Sequence, residues 1–420
     1  MALTRRFTTK RGYVVTGLGV GQILSWGSTF YLLAVLAGPI ATDTGWSGSL
    51  VVAGVSLGLV IAGLGSPLVG ILVAGNHGRT VLIASALMLA LGLTVLGLAA
   101  SQWWYLGAWV ILGLGMSGGL YSGAFAVLGH TYGSSARSAI TLLTLFGGFA
   151  STICWPLSTV LVNEVGWRWT ALAYAAAHLL ITAPLYSLTI PRHPSGPTLT
   201  AETGRPSIAV GRPVAARWPL IVLLATVSTL GTSIASLMSI HMFSLLAGIG
   251  ITGAAAVVLA ASIGPSQVGA RFIELIVGRK HHPLWTLLIA TFALAVAMSF
   301  LGVGLLTPMI LVILYGVGIG LSSIANGTVP LALFGQEQYA RIMGRIALPS
   351  LLAQAAAPVI GSLLIQNVGH RNTLMILGLF AFLAFLLAIW LMLLYHGRRK
   401  AEVSYAAADP TESCQDVFPT

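Results

Sequence analysis

Long apolar runs, separated by short polar breaks, repeat along the whole chain. They fall at about 13–38, 49–74, 80–100, 104–128, 139–162 and 168–189, and again at about 218–243, 252–278, 283–303, 307–332, 346–366 and 372–396. A helix needs about 20 mostly apolar residues to cross ~30 Å of hydrocarbon. Each run therefore predicts one membrane-spanning helix, twelve in all. The longest interior polar stretch, 191–217, carries Pro191, Pro194, Pro197, Pro206 and Pro213, a density that disfavours a packed domain. It divides the runs into six and six. The predicted organisation is an N-terminal segment over 1–12, a six-helix bundle over 13–190, a Pro-rich linker over 191–217, a second six-helix bundle over 218–396 and a disordered tail over 397–420. Run 1 follows Arg5, Arg6, Lys10 and Arg11 as a signal peptide would. It is longer than a signal core and no soluble domain follows, so an uncleaved first span is expected.

Composition excludes the soluble alternatives. Of 420 residues, 57% are hydrophobic and 7% charged, with a mean hydropathy of +0.94. A soluble domain has roughly a quarter of its residues charged, and disordered chains are polar. The net charge of +11 could indicate nucleic acid, so the positions of the charges matter. With the N-terminus placed inside, 17 Lys and Arg fall in the termini and the connections after spans 2, 4, 6, 8 and 10, against Arg168 and Arg371 alone on the other side. That asymmetry is the positive-inside pattern of a multi-pass protein of an inner (plasma) membrane with both termini cytoplasmic. The basic residues are dispersed over five connections and two ends, which argues against nucleic-acid binding. Trp46, Trp103, Trp104, Trp167 and Trp169 sit at predicted outer ends, where interfacial aromatics belong.

Two local patterns accompany this layout. Between spans 2 and 3 the chain reads Gly70-Ile-Leu-Val-Ala74-Gly75-Asn76-His77-Gly78-Arg79, and after span 8 Glu274-Leu-Ile-Val-Gly278-Arg279-Lys280. Span 5 follows Ala136-Arg137 and reaches Pro156; span 11 follows Ala340-Arg341 and reaches Pro358. Six plus six spans around a Pro-rich loop, with a Gly…Gly-Arg loop after span 2, resemble the major facilitator superfamily. The resemblance implies an all-α membrane protein of two pseudo-symmetric six-helix bundles, a secondary transporter without enzymatic activity, binding near the midplane between repeated halves. In that family the two loops latch one conformation. Here Gly70, Gly78, Arg79, Gly278 and Arg279 keep the frame, but Ala74 and Gly75 replace the usual Asp and first Arg, which implies a weakened latch.

Charge inside hydrocarbon is costly, so each instance needs a reason. Arg271 and Glu274, both in span 8, are the two charged residues inside the predicted spans. Arg271 lies eight residues before Arg279, about 12 Å deep. It either pairs with Glu274 or snorkels to the interface, or its guanidinium fork awaits a carboxylate. The chain is similar here to the bacterial oxalate/formate and monocarboxylate branch of the superfamily, which places a substrate-binding Arg in span 8. That resemblance implies Arg271 as ligand of a small organic anion, although span 1 lacks the Lys of some proton-coupled members. Gln22, Trp26, Tyr121, Asn326 and Gln354 reach comparable depth and are substrate-lining candidates, each weighed against interhelical packing. Pro265, Ser266 and Gln267 predict a bent span 8. Glu274 and His241 are the proton-coupling candidates; without coupling, the protein would be a uniporter or would exchange a counter-anion.

No cofactor, catalytic residue or metal site is expected. Cys154 and Cys414 form no disulfide framework and have no paired ligand spacing. A drug-efflux antiporter is the nearest alternative, although span 4 (Gly113 to Tyr121) carries no Arg and Gly147-Gly148 with Pro156 is not the antiporter pattern. A rhomboid-like serine protease built on Ser117 and His178 is the remote one. The expected assembly is a monomer in a lipid bilayer, with a small molecule as partner.

Overall fold

The computed structural model describes residues 2–192, 218–304 and 306–408. Most of the expected linker and the end of the tail lie outside the described residues. Among those described, all regular structure is helical. Span 1 comprises Ala2–Gly27 and Leu33–Thr44. Span 2 is Gly48–Leu72 and span 3 Gly78–Gly97. Span 4 comprises Gln102–Gly119 and Tyr121–Tyr132. Span 5 comprises Ala136–Gly148 and 150–165, and span 6 runs over 167–189. Span 7 is Trp218–Gly248, span 8 Gly253–Val277 and span 9 Pro283–Val303. Spans 10, 11 and 12 are 308–334, 336–368 and 370–408, divided at Gly335 and Gly369.

These boundaries follow from local chemistry. The Ser47 and Ser101 hydroxyls accept the amides of Leu50 and Trp104, capping spans 2 and 4 where apolar runs begin. Gly45, at φ 71°, closes span 1 in the left-handed conformation that glycine adopts without strain.

The turns after spans 5 and 11 are near copies. Gly166 has φ 80° and ψ 168°, and Gly369 has φ 82° and ψ 168°. Four residues on, Thr170 and Thr373 each return a hydroxyl to the glycine carbonyl at 2.8 Å. Two residues on, Arg168 donates to the carbonyls of Gly97 and Ala99 at the end of span 3, and Arg371 to those of Gly302 and Val303 at the end of span 9. The intervening residue reaches back to the first span of its own half. Trp167 donates to Asp43 of span 1, whereas His370 bonds Ser244 of span 7. The two bundles thus share construction as well as span number.

Among the described residues the first bundle has two apolar clusters along its length, one built around Leu36, Leu59, Leu93 and Trp109 and another around Leu18, Leu82, Phe125 and Ile140. Trp103, Trp104 and Trp169 are exposed at span ends, but Trp167 is buried, with Arg168 stacked over its ring.

The bundles meet along glycine-lined contacts. Span 2 lies on span 11, with Gly70 against the Ala340 carbonyl and Gly344 against that of Ser66. Span 4 meets spans 10 and 11 at Phe125–Gly327 and Gly129–Tyr339, and span 5 meets span 8 at Gly148. Several of these contacts lie toward the face that carries the loops after spans 2, 4, 8 and 10, the basic face.

Candidate functional site

Arg271 stands where the two bundles touch. It is 4% exposed, and its guanidinium crosses the interface: Nη1 donates to the Thr144 carbonyl of span 5 at 3.0 Å. Nε donates to Ser323 Oγ at 3.2 Å and to the Gly320 carbonyl at 3.4 Å, and Nη2 to Gln267 Oε1 at 3.4 Å. Gly148 makes this reach possible, because a Cβ there would collide with Nη1. Its neighbour Gly147 likewise accommodates the Tyr121 hydroxyl, which shares the Thr144 carbonyl at 3.3 Å. Among the described residues no carboxylate lies within ion-pair distance of Arg271.

Aromatic rings surround this charge. Trp26 lies 5.1 Å from Tyr121 between ring centroids, and Tyr121 stacks on Phe125 at 5.1 Å and 8°. Tyr31 touches Trp26, Phe30 and Trp155. Both Tyr31 and Tyr121 are within electrostatic reach of the guanidinium.

Two breaks in the first bundle place these rings. Span 1 unwinds over residues 28–32, so Phe30 and Tyr31 leave the helical register of Trp26. Span 4 breaks at Leu120, with φ −90° and ψ −174°, just before Tyr121. Gln22 supports that break: its Nε2 donates to the Gly119 carbonyl at 2.7 Å, and its Oε1 accepts Trp26 Nε1 at 3.2 Å. Gln22 is fully buried, so its amide positions Trp26 and span 4 from behind. Span 8 itself runs through Pro265 with helical backbone throughout; the breaks at this level are in spans 1 and 4. Span 8 packs there on Gly316 and Gly320 of span 10.

The remaining candidates are dispersed. Asn326 accepts the Ser228 hydroxyl of span 7 at 3.0 Å. Gln354 receives Ser236 at its backbone carbonyl, at 2.9 Å, and its side-chain amide has no hydrogen-bond partner among the described residues. His241 Nε2 bonds the Pro358 carbonyl at 2.9 Å, tying span 7 to span 11 within the second bundle.

Glu274, one turn nearer the basic face than Arg271, does not pair with it. Its carboxylate accepts Arg137 of span 5 at 3.3 Å and Thr286 Oγ1 at 2.7 Å, with His281 Nε2 at 3.5 Å from the other oxygen. Arg137 also donates to the His281 carbonyl. Gly278 gives the Glu274 carboxylate its room. The loop after span 2 contributes packing and neutral polar contacts. Gly78 sits against Val127, Arg79 donates to the Ser187 carbonyl inside its own bundle, and Asn76 Oδ1 bonds His130 at 2.8 Å. Gln336 of the other bundle then donates to the His130 carbonyl at 2.7 Å. The side chain of Arg279 lies outside the described residues.

Sequence reasoning missed Thr144, Ser323 and Gly148 around Arg271. The adjacent Gly147-Gly148 was the available signal, since small residues in membrane helices mark close approach. Ser117 and His178 do not form a catalytic pair: Ser117 donates to the Leu114 carbonyl at 2.7 Å, and His178 bonds Ser28 at 2.8 Å.

The family model described as Major Facilitator Superfamily matches residues 18–344, well over half of the chain. The chain belongs to the major facilitator superfamily. It is therefore a multi-pass membrane transporter of small molecules, not an enzyme. Two solved structures share the fold. The human organic anion transporter MFSD10 (TETRAN) superposes with a TM-score of 0.69 at 18% identity, covering 90% of this chain and 99% of that one. The proton:xylose symporter XylE, solved with 6-bromo-6-deoxy-D-glucose, gives 0.71 at 13% identity over 90% and 95%. At such identities the likeness is one of architecture. No curated protein sequence matches the chain. Within this superfamily fold the Arg271 cluster lies at the meeting of the two bundles, where repeated halves place their substrate sites.

Proposed function

We propose that the chain carries a small organic anion, monocarboxylate-like, by alternating access across an inner membrane, with both termini cytoplasmic and the monomer as transport unit. One observation carries the reading: Arg271 is buried between the bundles, hydrogen-bonded only to neutral groups among the described residues, and thus brings uncompensated positive charge to the interface. A carboxylate at about 4 Å gains roughly 4 kcal/mol at an effective dielectric near 20. Trp26 and Tyr121 would wall the apolar body of the anion, and Asn326 and Gln354 would bond its polar edge. That MFSD10, of the same fold, is an organic anion transporter agrees in class. The oxalate/formate and monocarboxylate branch is the group within the superfamily whose pattern this site resembles.

The linker over 191–217 would join the halves, and the contacts on the basic face, including Arg137–Glu274, would hold one end of the cycle shut. The test is uptake and exchange of radiolabelled formate, acetate, lactate and oxalate by purified protein in lipid vesicles, against a neutral sugar. Carboxylate movement by the native chain and its loss in Arg271→Ala, with normal membrane insertion, are expected. Undiminished carboxylate transport by Arg271→Ala overturns the assignment.

A further inference from the structure

Spans 1 and 6 are joined by a polar seam away from Arg271. On span 6, His178, Thr182 and Tyr186 recur every four residues and so line one face. They are 0%, 0% and 1% exposed. Each has a buried polar atom without a hydrogen-bond partner among the described residues: His178 Nδ1, Thr182 Oγ1 and Tyr186 OH. Opposite them, span 1 presents Gly17, Gly21, Ser25 and Ser28 at steps of four, four and three. A Cβ at Gly17 would collide with Thr189, and one at Gly21 with the Tyr186 hydroxyl. That hydroxyl comes up to Gln22 and Ser25 but bonds neither in a directed way. At the head of the seam, His178 Nε2 bonds Ser28 Oγ at 2.8 Å.

Three orphaned polar atoms in one line are unusual, because buried polar groups are nearly always satisfied, by protein or by ordered water. The backbone is also special here. The Ala183 amide bonds the His178 carbonyl five residues back, a π-helical turn of the kind often found at functional positions. His178 lies ten residues from Arg168 and eleven from Thr189, so it is about 15 Å from either end of its span. From there the seam descends through Thr182 and Tyr186 toward the basic face.

We propose that this seam is a proton-binding site, in which water held by His178, Thr182 and Tyr186 connects the basic face to the His178 imidazole, and that His178 takes up the proton that accompanies transport. The step is a simple one: a proton delivered from the basic face as hydronium adds to the unprotonated ring nitrogen and leaves neutral water, the second nitrogen keeps its own proton, and release reverses the transfer. Once both nitrogens are donors, Ser28 Oγ can only accept from the ring. Ser28 begins the unwound segment of span 1 that carries Phe30 and Tyr31, so the proton acts on the ring wall beside Arg271.

Among the described residues no charged side chain bonds the imidazole, whose partner is Ser28. Span 3, packed on this turn, brings only Arg79, at its basic end beside Ser187. Span 1 has its nearest charges at its ends, Arg11 and Asp43, and span 5 at Arg137 and Glu164. The remaining titratable groups on these spans are Tyr13 and Tyr31 of span 1, Cys154 of span 5 and, on span 6 itself, Arg168, Tyr174 and Tyr186.

The inference rests on superfamily membership and not on the anion assigned to Arg271, and it is tested without a substrate. Hydroxyl-radical footprinting of the full chain in lipid, in isotopically labelled water, reads ordered water beside buried side chains. Labelling of His178 and Tyr186 at rates comparable with that of the exposed Tyr13 is expected; unlabelled His178 and Tyr186 overturn the seam. Infrared difference spectra between neutral and acid pH should contain an imidazole band that is lost in His178→Gln and shifted in Ser28→Ala. Spectra of His178→Gln identical to those of the native chain overturn the proton site, and Ser28→Ala supplies the reading should the first variant fail to fold. Arg271→Lys should change neither result, so failure of the anion reading and failure of this one are distinguishable.

Discussion

Arg271 and Glu274 are one helical turn apart in span 8, yet each bonds a different residue of span 5 in the opposite bundle. Arg271 donates to the Thr144 carbonyl at 3.0 Å, and Glu274 accepts Arg137 at 3.3 Å. The two opposite charges of span 8 are thereby kept apart. Glu274 is neutralised by Arg137 toward the basic face, and Arg271 keeps its charge at the interface. Span 5 is thus both the wall of the candidate site and one side of the closure next to it.

Because a Cβ at position 148 would meet the guanidinium, Gly148→Ala should displace Arg271 without altering any charge. Carboxylate uptake in vesicles is expected to fall at least about tenfold, the effect of a loss of roughly 1.4 kcal/mol. Gly269→Ala, two residues from Arg271 but facing open space, is the control and should transport normally.

Arg271→Lys retains the charge but not the planar fork, and an ammonium cannot reach Thr144, Ser323 and Gln267 in the same geometry. Uptake is expected to stay well below that of the native chain, with a smaller deficit than in Arg271→Ala. Equal rates for Lys and Arg would mean that charge alone suffices at this position.

Glu274→Gln leaves Arg137, half-buried between the bundles, without its counter-charge. Breaking a buried pair costs about 3–5 kcal/mol, and less where water reaches it. Closure at the basic face should weaken, which distance measurements between spin labels on spans 5 and 8 would read as a broader, longer distribution. An unchanged distribution would show that glycine packing alone holds that face.

Gly166 and Gly369 share a backbone region open essentially to glycine, and nothing lies within 4 Å of a Cβ at either position. Gly166→Ala and Gly369→Ala should therefore each destabilise by about 1–3 kcal/mol, through backbone strain alone. Similar losses are expected in thermal unfolding of the purified variants; a cost at one turn only would separate the two bundles.

The sequence revealed the spans because lipid imposes one simple rule, an apolar stretch of sufficient length. It revealed the burial of Arg271 for the same reason. It could not reveal that Glu274 turns to Arg137, since that partner is 137 residues away and the choice depends on how the bundles dock. The breaks at 28–32 and at Leu120 were equally hidden: no proline marks them, and the second is held by Gln22 from another helix. The one kink that proline did predict, at Pro265, lies in a helix with no non-helical residue. The twin turns carry a shared pattern, Val165-Gly166-Trp167-Arg168 and Val368-Gly369-His370-Arg371, that a reading by spans and charges passes over.

The separation of Arg271 from Glu274 also has an electrical consequence. A moving element whose unbalanced interior group is cationic works with or against the membrane voltage whenever it turns empty, at up to about 2.3 kcal/mol per 100 mV. Holding a monoanion, the same element is neutral and turns without that load. Voltage would then set the pace of the unloaded return, and a dianion would reverse the sign of the loaded step.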